Sequence, residues 1–391
     1  TLYPVTFSER EKVIANYLNL IHGEKHKIDR VYPKHFCGPA SFTLELKNVQ
    51  PDSENFNVPN IRNNYSVTDK ADGVRKLLYI DNTGRVYFVT MKMSVEFTGT
   101  HTKDRKLHNT ILDGEHILND KNGRYINLFA AFDIYYMNGK SVREKEFAPS
   151  TNEKEKENIY RLLLLTKITK ALKLESITKN LVTLRVEHKR FYSEGIGGTI
   201  FDGCNTILKN EEDGLYEYNT DGLIFTPMQL GVGGNKKGEA GNPFKLTWAH
   251  SFKWKPEKFN TIDFLISTQK DTTNKDKIYN IFEGGMNVGG DNLTQYKTLI
   301  LRCGFDEKKH GYINPCKDVY DDNLPTIKDK DETSEYKPVA FYPTRPYDND
   351  AHICNIVLRN DDAGNKQMMT EEGEVFTDNM IVEFKYEKNN D

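Results

Sequence analysis

The segment TDKADGVR, residues 68–75, decides the fold of this chain because it lies between two short strand-like runs. Residues 65–67 (YSV) and residues 76–80 (KLLYI) have the β-branched and aromatic content that is typical of strands. The spacing predicts a tight strand–loop–strand corner, where Gly73 is free to take a backbone conformation that other residues avoid. Lys70 is predicted to lie at this corner.

Lys70 is the candidate nucleophile. A lysine amine attacks an electrophile such as phosphorus only after losing its proton, and burial or a nearby second cation favours that loss. Arg75, which follows in the same segment, is placed to supply this cation and to bind a ribose or a phosphate. The alternative interpretation is an ordinary charged β-turn without a chemical role.

Composition limits the classes of protein to consider. The 391 residues suffice for two or three domains, and a net charge of −3 gives no global reason to expect nucleic acid, so any RNA contact needs a local basic surface. The five cysteines are scattered, which is typical of an intracellular, reducing compartment. No signal peptide or long apolar run is present, so we expect no membrane association.

Periodicity along the chain predicts a mixed α and β organisation. Residues 8–21 are predicted to form a helix with Ser8 as N-cap, and residues 163–172 a second, core-facing helix. Between residues 36 and 133, short strands alternate with turns, and a further strand is predicted at residues 216–218. Beyond residue 260, short strands and long polar loops predict a smaller β-rich domain.

The glycine-rich stretch GVGGNKKGEAG, residues 231–241, resembles a phosphate-binding loop at first sight. Gly233 and Gly238 have the spacing of such a loop, but Glu239 occupies the position where a lysine is required. A flexible surface loop is therefore the predicted structure of this stretch.

Three carboxylate-bearing segments are compatible with a nucleotide site. Glu115 in Asp-Gly-Glu is placed to hold a ribose hydroxyl or a metal-bound water, although the same tripeptide also occurs in plain turns. Phe132 beside Asp133 offers a ring for a base to stack on, or is simply a core phenylalanine. Asp221 at a predicted strand start suits Mg²⁺ or Mn²⁺ beside phosphate oxygens.

The segment FKWKP, residues 252–256, alternates two lysines around a tryptophan. In a strand, the period of two points Lys253 and Lys255 to one face and buries the ring of Trp254 on the other. Two parallel ammonium groups would offset the charge of a transferring phosphoryl group. A solvated strand face is the alternative.

The order of these motifs is more specific than any one of them. The chain contains, in succession, Lys-x-Asp-Gly-x-Arg at 70–75, Asp-Gly-Glu at 113–115, Phe-Asp at 132–133, Asp-Gly-Leu-Ile at 221–224 and Lys-Trp-Lys-Pro at 253–256. This series resembles that of the covalent nucleotidyltransferase superfamily, which includes mRNA capping enzymes and ATP-dependent polynucleotide ligases.

Three other segments resemble capping guanylyltransferases rather than ligases: GPASF at 38–42, NTIDFL at 260–265 and MIVEFKY at 380–386. Together, the segments look most like the guanylyltransferase module of the multifunctional capping enzymes of large DNA viruses, of the poxvirus and giant-virus kind. The resemblance extends from about residue 35 to the C-terminus.

The resemblance implies a role for each motif residue. It implies that Lys70 becomes covalently guanylylated by GTP, that Arg75 and Glu115 contact the ribose, and that Phe132 stacks on the guanine. The reaction would need Mg²⁺ or Mn²⁺ and would transfer GMP to the 5′-diphosphate end of RNA.

The resemblance also implies roles at the phosphates, at the metal and in the loop. The resemblance implies that Asp221 is a metal-site carboxylate and that Lys253 and Lys255 bind phosphate. It also implies that Asp72, with Gly73, shapes the loop rather than acting in the chemistry.

The fold implied is α+β, with a nucleotidyltransferase domain of antiparallel sheets and flanking helices at residues 35–260. A helical lead-in would precede it at residues 1–34, and an OB-fold-like domain would follow at residues 261–391. Flanking RNA triphosphatase and cap methyltransferase modules are expected in the full-length chain, which would work in the virion or the host cytoplasm.

Two alternatives remain open at this point. One is an ATP-dependent polynucleotide ligase, which shares most of the motifs. The other is a catalytically impaired module of the same fold that binds RNA or a partner. In the family, an Arg-x-Asp-Lys-type motif that orients the leaving pyrophosphate follows the strand at 380–386, and this sequence reaches Asp391 without it.

Overall fold

The structure of the protein is a computed structural model, and its description covers residues 3, 5–23, 30–51, 58–149, 160–178, 183–194, 198–281, 294–306, 337–343, 348–361, 364–371 and 373–385. The chain divides into two compact units, Thr1–Pro256 and Glu257–Asp391. The boundary expected after residue 260 thus lies slightly further along the chain than the division between the units.

The first unit contains three α-helices and thirteen strands within the described residues. The helices are α1 (Phe7–His22), α2 (Arg161–Ala171) and α3 (Ile200–Glu212). The strands are β1 (Ala40–Thr43), β2 (Tyr65–Ala71), β3 (Val74–Ile80), β4 (Arg85–Thr90), β5 (Val95–His101), β6 (Thr110–Asn119), β7 (Tyr125–Met137), β8 (Lys140–Ser141), β9 (Glu175–Ser176), β10 (Arg185–His188), β11 (Tyr192–Ser193), β12 (Thr220–Pro227) and β13 (Thr247–Trp254).

These strands form two sheets. One has five strands in the order β1-β13-β12-β2-β11, and the other has the order β10-β7-β6-β3-β4-β5-β9 with β8 paired to β7. Most pairs are antiparallel, as predicted, but the pairs β1–β13 and β10–β7 are parallel. The α+β class is therefore confirmed for this unit.

The corner at residues 72–73 connects the two sheets. β2 ends at Ala71 in the five-stranded sheet, and β3 begins at Val74 in the other sheet. Lys70 consequently lies at the end of a strand, immediately before the chain passes from one sheet to the other. The predicted strand–loop–strand corner is present, with a connection of only Asp72 and Gly73.

Helix α1 differs from its prediction in its cap. Its N-cap is Thr6, whose hydroxyl accepts a hydrogen bond from Glu9 N at 3.3 Å, rather than Ser8. Its buried face, which includes Tyr17, shares one hydrophobic core with β3 and β4. This amphipathic helix therefore contributes to the core of the first unit.

Two further differences concern the region after α2. Helix α3 was not expected, although Thr199 and Asp202 form a capping box at its start and its buried residues Ile200, Cys204 and Ile207 recur at helical spacing. The strand predicted at residues 216–218 is absent, since this stretch is a bend that leads into β12.

The second unit is built from strands. Within its described residues they are β14 (Thr261–Thr268), β15 (Ile278–Ile281), β16 (Thr294–Phe305), β17 (Lys337–Ala340), β18 (Ile353–Val357), β19 (Arg359–Asn360), β20 (Lys366–Met369), β21 (Val375–Phe376) and β22 (Ile381–Lys385).

A six-stranded antiparallel sheet organises this unit around β16, and a three-stranded sheet contains β19, β20 and β21. β14 pairs with β22, so that Thr261 faces Lys385 and Leu265 faces Ile381. Residues 261–265 and 381–385, which belong to the two segments that resemble capping enzymes, are thus neighbours in one sheet. The assignment as an OB-like fold stays a prediction.

Within the described part of the chain, every helix is too short or too polar to cross a bilayer.

Candidate active site

A cavity of about 370 Å³ in the first unit is lined by residues from both sheets. This volume is in the range of small-ligand sites. Most of the predicted site residues line the cavity: Lys70, Asp72, Gly73, Arg75, Glu115, Phe132 and Lys253. The remaining two join the group through ion pairs, since Asp221 contacts Lys70 and Lys255 contacts Asp221.

Lys70 and Lys255 share the carboxylate of Asp221. Lys70 Nζ lies 2.5 Å from Oδ1 of Asp221, and Lys255 Nζ lies 2.9 Å from Oδ2. Partial burial raises the pKa of Asp221, but the hydrogen bonds and charges of the two lysines outweigh it and hold the pKa below its usual value. Asp221 is therefore an anion placed between two cations, one of which is the predicted nucleophile.

Strand periodicity explains why these side chains meet. Alternate residues of a strand share a face, so Thr68 and Lys70 on β2 both line the cavity, as do Ser251 and Lys253 on β13. Lys255 continues the same alternation and reaches Asp221. Trp254 points the other way and packs against the core of the five-stranded sheet, as predicted.

Gly222 permits the close approach of β12 and β13 beside Asp221. Its φ is 142°, and a Cβ at this position would lie 2.0 Å from the carbonyl oxygen of Trp254. A larger residue would push β13 away from β12. In this Asp-Gly pair, Asp221 supplies the anion, and Gly222 allows the two strands to lie close enough for Lys255 to pair with it.

The corner requires a glycine at position 73 because there is no room for a side chain, and not because of its backbone angle. Gly73 is outside the left-handed region, contrary to the expectation from sequence. A Cβ would instead lie 2.9 Å from both the Cγ of Glu115 and the carbonyl oxygen of His116. Asp72 donates its backbone N–H to the carbonyl of Asn219 at 2.9 Å, which fixes the corner against the start of β12.

Arg75 is anchored by a carboxylate that the sequence analysis did not single out. Asp113, which is fully buried, accepts from Arg75 Nε at 3.1 Å and from Nη2 at 2.6 Å, and Pro39 O accepts from Nη1 at 2.8 Å. The hydroxyl of Tyr135 also donates to Asp113. Three of the five N–H groups of Arg75 are thus used, which leaves two for a ligand.

Glu115 faces Arg75 across the β3–β6 pair and lines the cavity. Burial raises its pKa to about 7, although the charges of Lys189, Arg75 and Lys70 act in the opposite direction. Near neutral pH, this carboxyl group can therefore either donate or accept a hydrogen bond. A ribose hydroxyl is a suitable partner for both forms.

Phe132 projects into the cavity because of a β-bulge. Asp113 pairs with Asp133 and Gly114 pairs with Ala131, so Phe132 is an extra residue on β7. Its ring is only partly buried, and the guanidinium of Arg75 lies 5.6 Å from the ring centroid. This position suits a stacking surface better than a core phenylalanine.

Asp133, next to Phe132, belongs to a buried ion pair with helix α2. Arg161 Nε lies 2.8 Å from Oδ1 of Asp133, and Nη2 lies 3.2 Å from Oδ2. Burial raises the pKa of Asp133 above its usual value despite this partner. The pair fixes the bulge of β7 to the start of α2, so it positions the ring of Phe132.

Lys189 is a cavity residue that the sequence analysis missed. Its Nζ lies 2.8 Å from Oδ2 of Asp69 and also donates to the backbone carbonyl of Asp69, and both side chains are buried. Tyr218 donates its hydroxyl to Oδ2 of Asp69 at 3.1 Å. The residue follows β10 in a run of basic residues, where only the fold distinguishes it from a solvated lysine.

The glycine-rich stretch at 231–241 contributes to the wall of the cavity. Val232 is buried and lines the cavity, and Trp248 Nε1 donates to the carbonyl of Gly234 at 2.9 Å. The stretch is therefore packed onto the first unit, and the expectation of a simple surface loop is wrong for this part of it.

A metal ion would find one carboxylate at the lysine cluster. Within the described residues, no group of three or more histidine, cysteine, aspartate or glutamate side chains is arranged to hold an ion. Mg²⁺ is usually bound by one or two carboxylates together with substrate phosphates and water. Asp221 fits that pattern when nucleotide phosphates supply the other oxygen ligands.

Comparison with known proteins identifies a family. The model of the family described as "mRNA capping enzyme, catalytic domain" matches residues 24–257, which is more than half of the chain. This range contains every residue of the site described above.

Individual relatives agree with the family match. A zebrafish (Danio rerio) mRNA-capping enzyme is 29% identical over 82% of this chain and 47% of its own length. A probable mRNA-capping enzyme of Acanthamoeba polyphaga mimivirus is 26% identical over 71% of this chain and 24% of its own length. The African swine fever virus (isolate Pig/Kenya/KEN-50/1950) mRNA-capping enzyme is 30% identical over 52% of this chain and 18% of its own length.

The chain spans about half the length of the zebrafish relative and less of the viral ones. It is similar to both cellular and viral capping enzymes, in agreement with the motif order and the geometry of the cavity. The chain therefore belongs to the family of mRNA capping enzyme catalytic domains.

Proposed function

We propose that this chain is an mRNA guanylyltransferase, which transfers GMP from GTP through a covalent lysyl–GMP intermediate to the 5′-diphosphate end of RNA. The observation that carries the proposal is the Lys70 ammonium group, which reaches the cavity and is held by Asp221 beside a second lysine, Lys255. Family membership supports a nucleotide and RNA as substrates.

In the first half-reaction, Lys70 Nζ gives up a proton to solvent, while the Asp221 carboxylate accepts a hydrogen bond from it and orients it. The amine then attacks the α-phosphorus of GTP, the bond to the oxygen that bridges to the β-phosphate breaks, pyrophosphate leaves, and the nitrogen releases a second proton to give the phosphoramidate. In the second half-reaction, a terminal oxygen of the RNA diphosphate attacks the same phosphorus, the P–N bond breaks as the nitrogen is protonated, and Lys70 returns to its ammonium form. Splitting one transfer into two is the usual advantage of a covalent intermediate.

The other cavity residues would position the nucleotide. Lys253 and Lys255 offset phosphate charge, Glu115 and the two remaining N–H groups of Arg75 bind the ribose, and Phe132 stacks on the base. Stacking alone does not select a base. Asp69 accepts two N–H groups of Lys189, so one remains to donate. The O6 of guanine accepts such a bond, whereas adenine carries an amino donor there.

Capping nucleotidyltransferases generally use a nucleotide together with a divalent metal ion, and we propose Mg²⁺ or Mn²⁺ for this chain. Asp221 and the phosphates of the nucleotide would hold the ion. When bound, the ion would neutralise charge on the transferring phosphoryl group. Lys70 and Lys255 form ion pairs with the same carboxylate.

The family match and the relatives favour capping over ligation. Incubation of the protein with α-labelled GTP or α-labelled ATP and Mg²⁺ or Mn²⁺ tests the choice. We expect label from GTP that stays on the protein after denaturation. Label from ATP alone would identify a ligase, and the absence of label from both would favour a binding module.

Substitutions of Lys70 test its role as the nucleophile. Lys70→Ala and Lys70→Arg should both abolish labelling, because a guanidinium stays protonated and has no free lone pair to attack. Lys209→Ala, on the exposed face of α3, is the matched control and should be labelled like the wild type. Labelling of either Lys70 variant at the wild-type level would exclude Lys70 as the nucleophile.

RNA triphosphatase and cap methyltransferase activities are proposed for neighbouring modules of the full-length protein, since the curated relatives are longer than this chain. The virion or the host cytoplasm is the proposed location, in line with the similarity to viral capping enzymes.

A further inference from the structure

A surface cluster of two cations and two aromatic rings lies on the first unit. We call it the aromatic–basic patch, and it consists of Arg30, Tyr32, Lys34 and Phe244. Lys34 Nζ lies 5.6 Å from the ring centroid of Tyr32 and 5.7 Å from that of Phe244, and Arg30 lies 5.9 Å from the ring of Tyr32. The Tyr32 side chain is 45% exposed, so its ring is accessible to a ligand.

The patch is built on a rigid base. The rings of His22 and His35 contact Phe244 at centroid distances of 5.2 and 5.6 Å, which fixes Phe244 between α1 and the 3₁₀ turn at Pro33–His35. The backbone N–H of Lys245 donates to the carbonyl of Lys34 at 2.8 Å and joins the two chain segments that carry the patch.

These two segments run side by side from the patch to the wall of the cavity. Ala40 N donates to Leu246 O at 2.9 Å, and the parallel pair β1–β13 continues from there. Pro39 and Trp248 line the cavity. The seven residue-to-residue steps from Tyr32 to Pro39 span at most about 25 Å, a distance that a few nucleotides of single-stranded RNA can cover.

The charge of the patch favours an anionic ligand. Among the residues that the structure describes, neither Arg30 nor Lys34 forms an ion pair, whereas the chain as a whole has a net charge of −3. Tyr32 supplies the exposed ring, and Phe244 is only partly buried. A ring beside cations is the combination that binds single-stranded nucleic acid, since bases stack on rings and phosphates pair with cations.

We propose that the aromatic–basic patch binds the acceptor RNA a few nucleotides downstream of its 5′-diphosphate end. Tyr32 stacks on a base, and Arg30 and Lys34 neutralise backbone phosphates. The proposal rests on the proposed function for the identity of the acceptor, but it concerns only the second half-reaction. The patch makes no contribution to the reaction of Lys70 with GTP.

The test separates the two half-reactions in a triple variant, Arg30→Ser, Tyr32→Ala and Lys34→Ser. We expect its self-guanylylation by labelled GTP to equal that of the wild type, which also shows that it is folded. GMP transfer to a 5′-diphosphate RNA of about 20 nucleotides should show a KM at least about 5-fold higher, given the strength of base–aromatic stacking. Transfer to a 5′-diphosphate dinucleotide, which is too short to reach the patch, should be unchanged.

A control variant removes the same charge and one exposed ring elsewhere: Phe7→Ala, Arg10→Ser and Lys12→Ser on α1. It should keep the wild-type KM for the long RNA. An equal rise in KM for both variants would show that overall charge, and not the patch, is responsible, and would overturn the proposal. So would a wild-type KM in the patch variant.

Direct binding keeps the proposal testable if the protein does not react with GTP. Fluorescence anisotropy with a labelled 20-nucleotide RNA should show weaker binding for the patch variant than for the control. For the patch variant, the slope of log affinity against log salt concentration should be smaller in magnitude by about 1.4, because two phosphate contacts are lost. Equal affinities and equal slopes would refute the patch as an RNA site, whatever the outcome with GTP.

Discussion

At the scale of single residues, the proposed chemistry depends on one carboxylate shared by two lysines. Asp221 pairs with Lys70 and Lys255 at 2.5 and 2.9 Å, so in the proposed mechanism its charge orients the nucleophile and offers an oxygen to a metal ion. Asp221→Asn keeps the shape of the side chain but removes the anion. We expect covalent labelling with GTP to fall at least about 10-fold, equivalent to about 1.4 kcal/mol in the barrier, and the metal titration to shift to higher concentration.

Asp213→Asn is the control, since this residue is exposed at the end of α3. A titration of the Asp221 variant that overlays that of the wild type would remove Asp221 from the site.

Phe132 allows a second prediction at this scale. Loss of the ring in Phe132→Ala should weaken GTP binding by roughly 5- to 150-fold, because base–aromatic stacking contributes about 1–3 kcal/mol. Phe132→Tyr and Phe132→Trp should retain most of the affinity. Titration of GTP by fluorescence or calorimetry gives the affinity, and thermal denaturation of the free protein is measured on the same samples. A lower melting temperature with unchanged affinity would mean that the ring is only a packing residue.

At the scale of elements, the site depends on how closely β12 and β13 approach. Gly222→Ala adds a Cβ where only 2.0 Å is available and where φ is 142°. We expect unfolding free energy to fall by about 1–3 kcal/mol and labelling to fall about 10-fold or more, as Lys255 moves away from Asp221. Chemical denaturation and GTP labelling are the two measurements.

Gly238→Ala is the matched control for this variant. Its φ of 80° is also unfavourable for alanine, but no atom lies within 4 Å of the added Cβ. It should lose some stability and keep its labelling. If the two variants lost labelling equally, the contact between the strands would not explain the effect.

The elements also show what the sequence can and cannot predict. Alternation within one strand predicted that Lys253 and Lys255 lie opposite the buried ring of Trp254, because a period of two needs no knowledge of neighbouring strands. Helix α3 was overlooked although its capping box is local, whereas the bulge that aims Phe132 into the cavity depends on the register of β6 and β7. Register is a property of a pair of strands, so the sequence of one strand alone does not determine it.

The same limit applies to partners across the cavity. Asp113 and Lys189 had no distinguishing local pattern, because their roles come from Arg75 and Asp69 on other strands. Resemblance to a family gave the residues that line the cavity and are proposed to bind the nucleotide. It did not give the carboxylates that hold those residues in place.

At the scale of the whole molecule, the raised pKa of Glu115 links the site to stability. Burial raises this pKa to about 7 from an ordinary value of 4.5. Between these values the folded protein retains a proton that the unfolded chain has lost, so stability falls as pH rises through this window and is level above it. Glu115→Gln carries no such proton and should be free of this loss.

We therefore expect Glu115→Gln to be more stable relative to the wild type at pH 8 than at pH 4.5, by on the order of 1–3 kcal/mol. Thermal or urea denaturation at both pH values measures the difference. Glu115→Gln should also weaken nucleotide binding, because the amide cannot accept and donate hydrogen bonds in the same way as the carboxyl group. A stability difference that is the same at both pH values would contradict the assignment of a raised pKa.

The connection of Asp72 and Gly73 between the two sheets has a consequence for the length of the chain at this point. Side chains of a strand change face with every step, so one residue inserted or deleted between β2 and β3 would invert the phase of β3 relative to β2. Arg75 would then turn away from the cavity and Lys76 would turn toward it, with every side chain still present. Spacing at this corner is thus as much a determinant of activity as the identity of Lys70, and insertions there should be tolerated far less well than substitutions of Asp72.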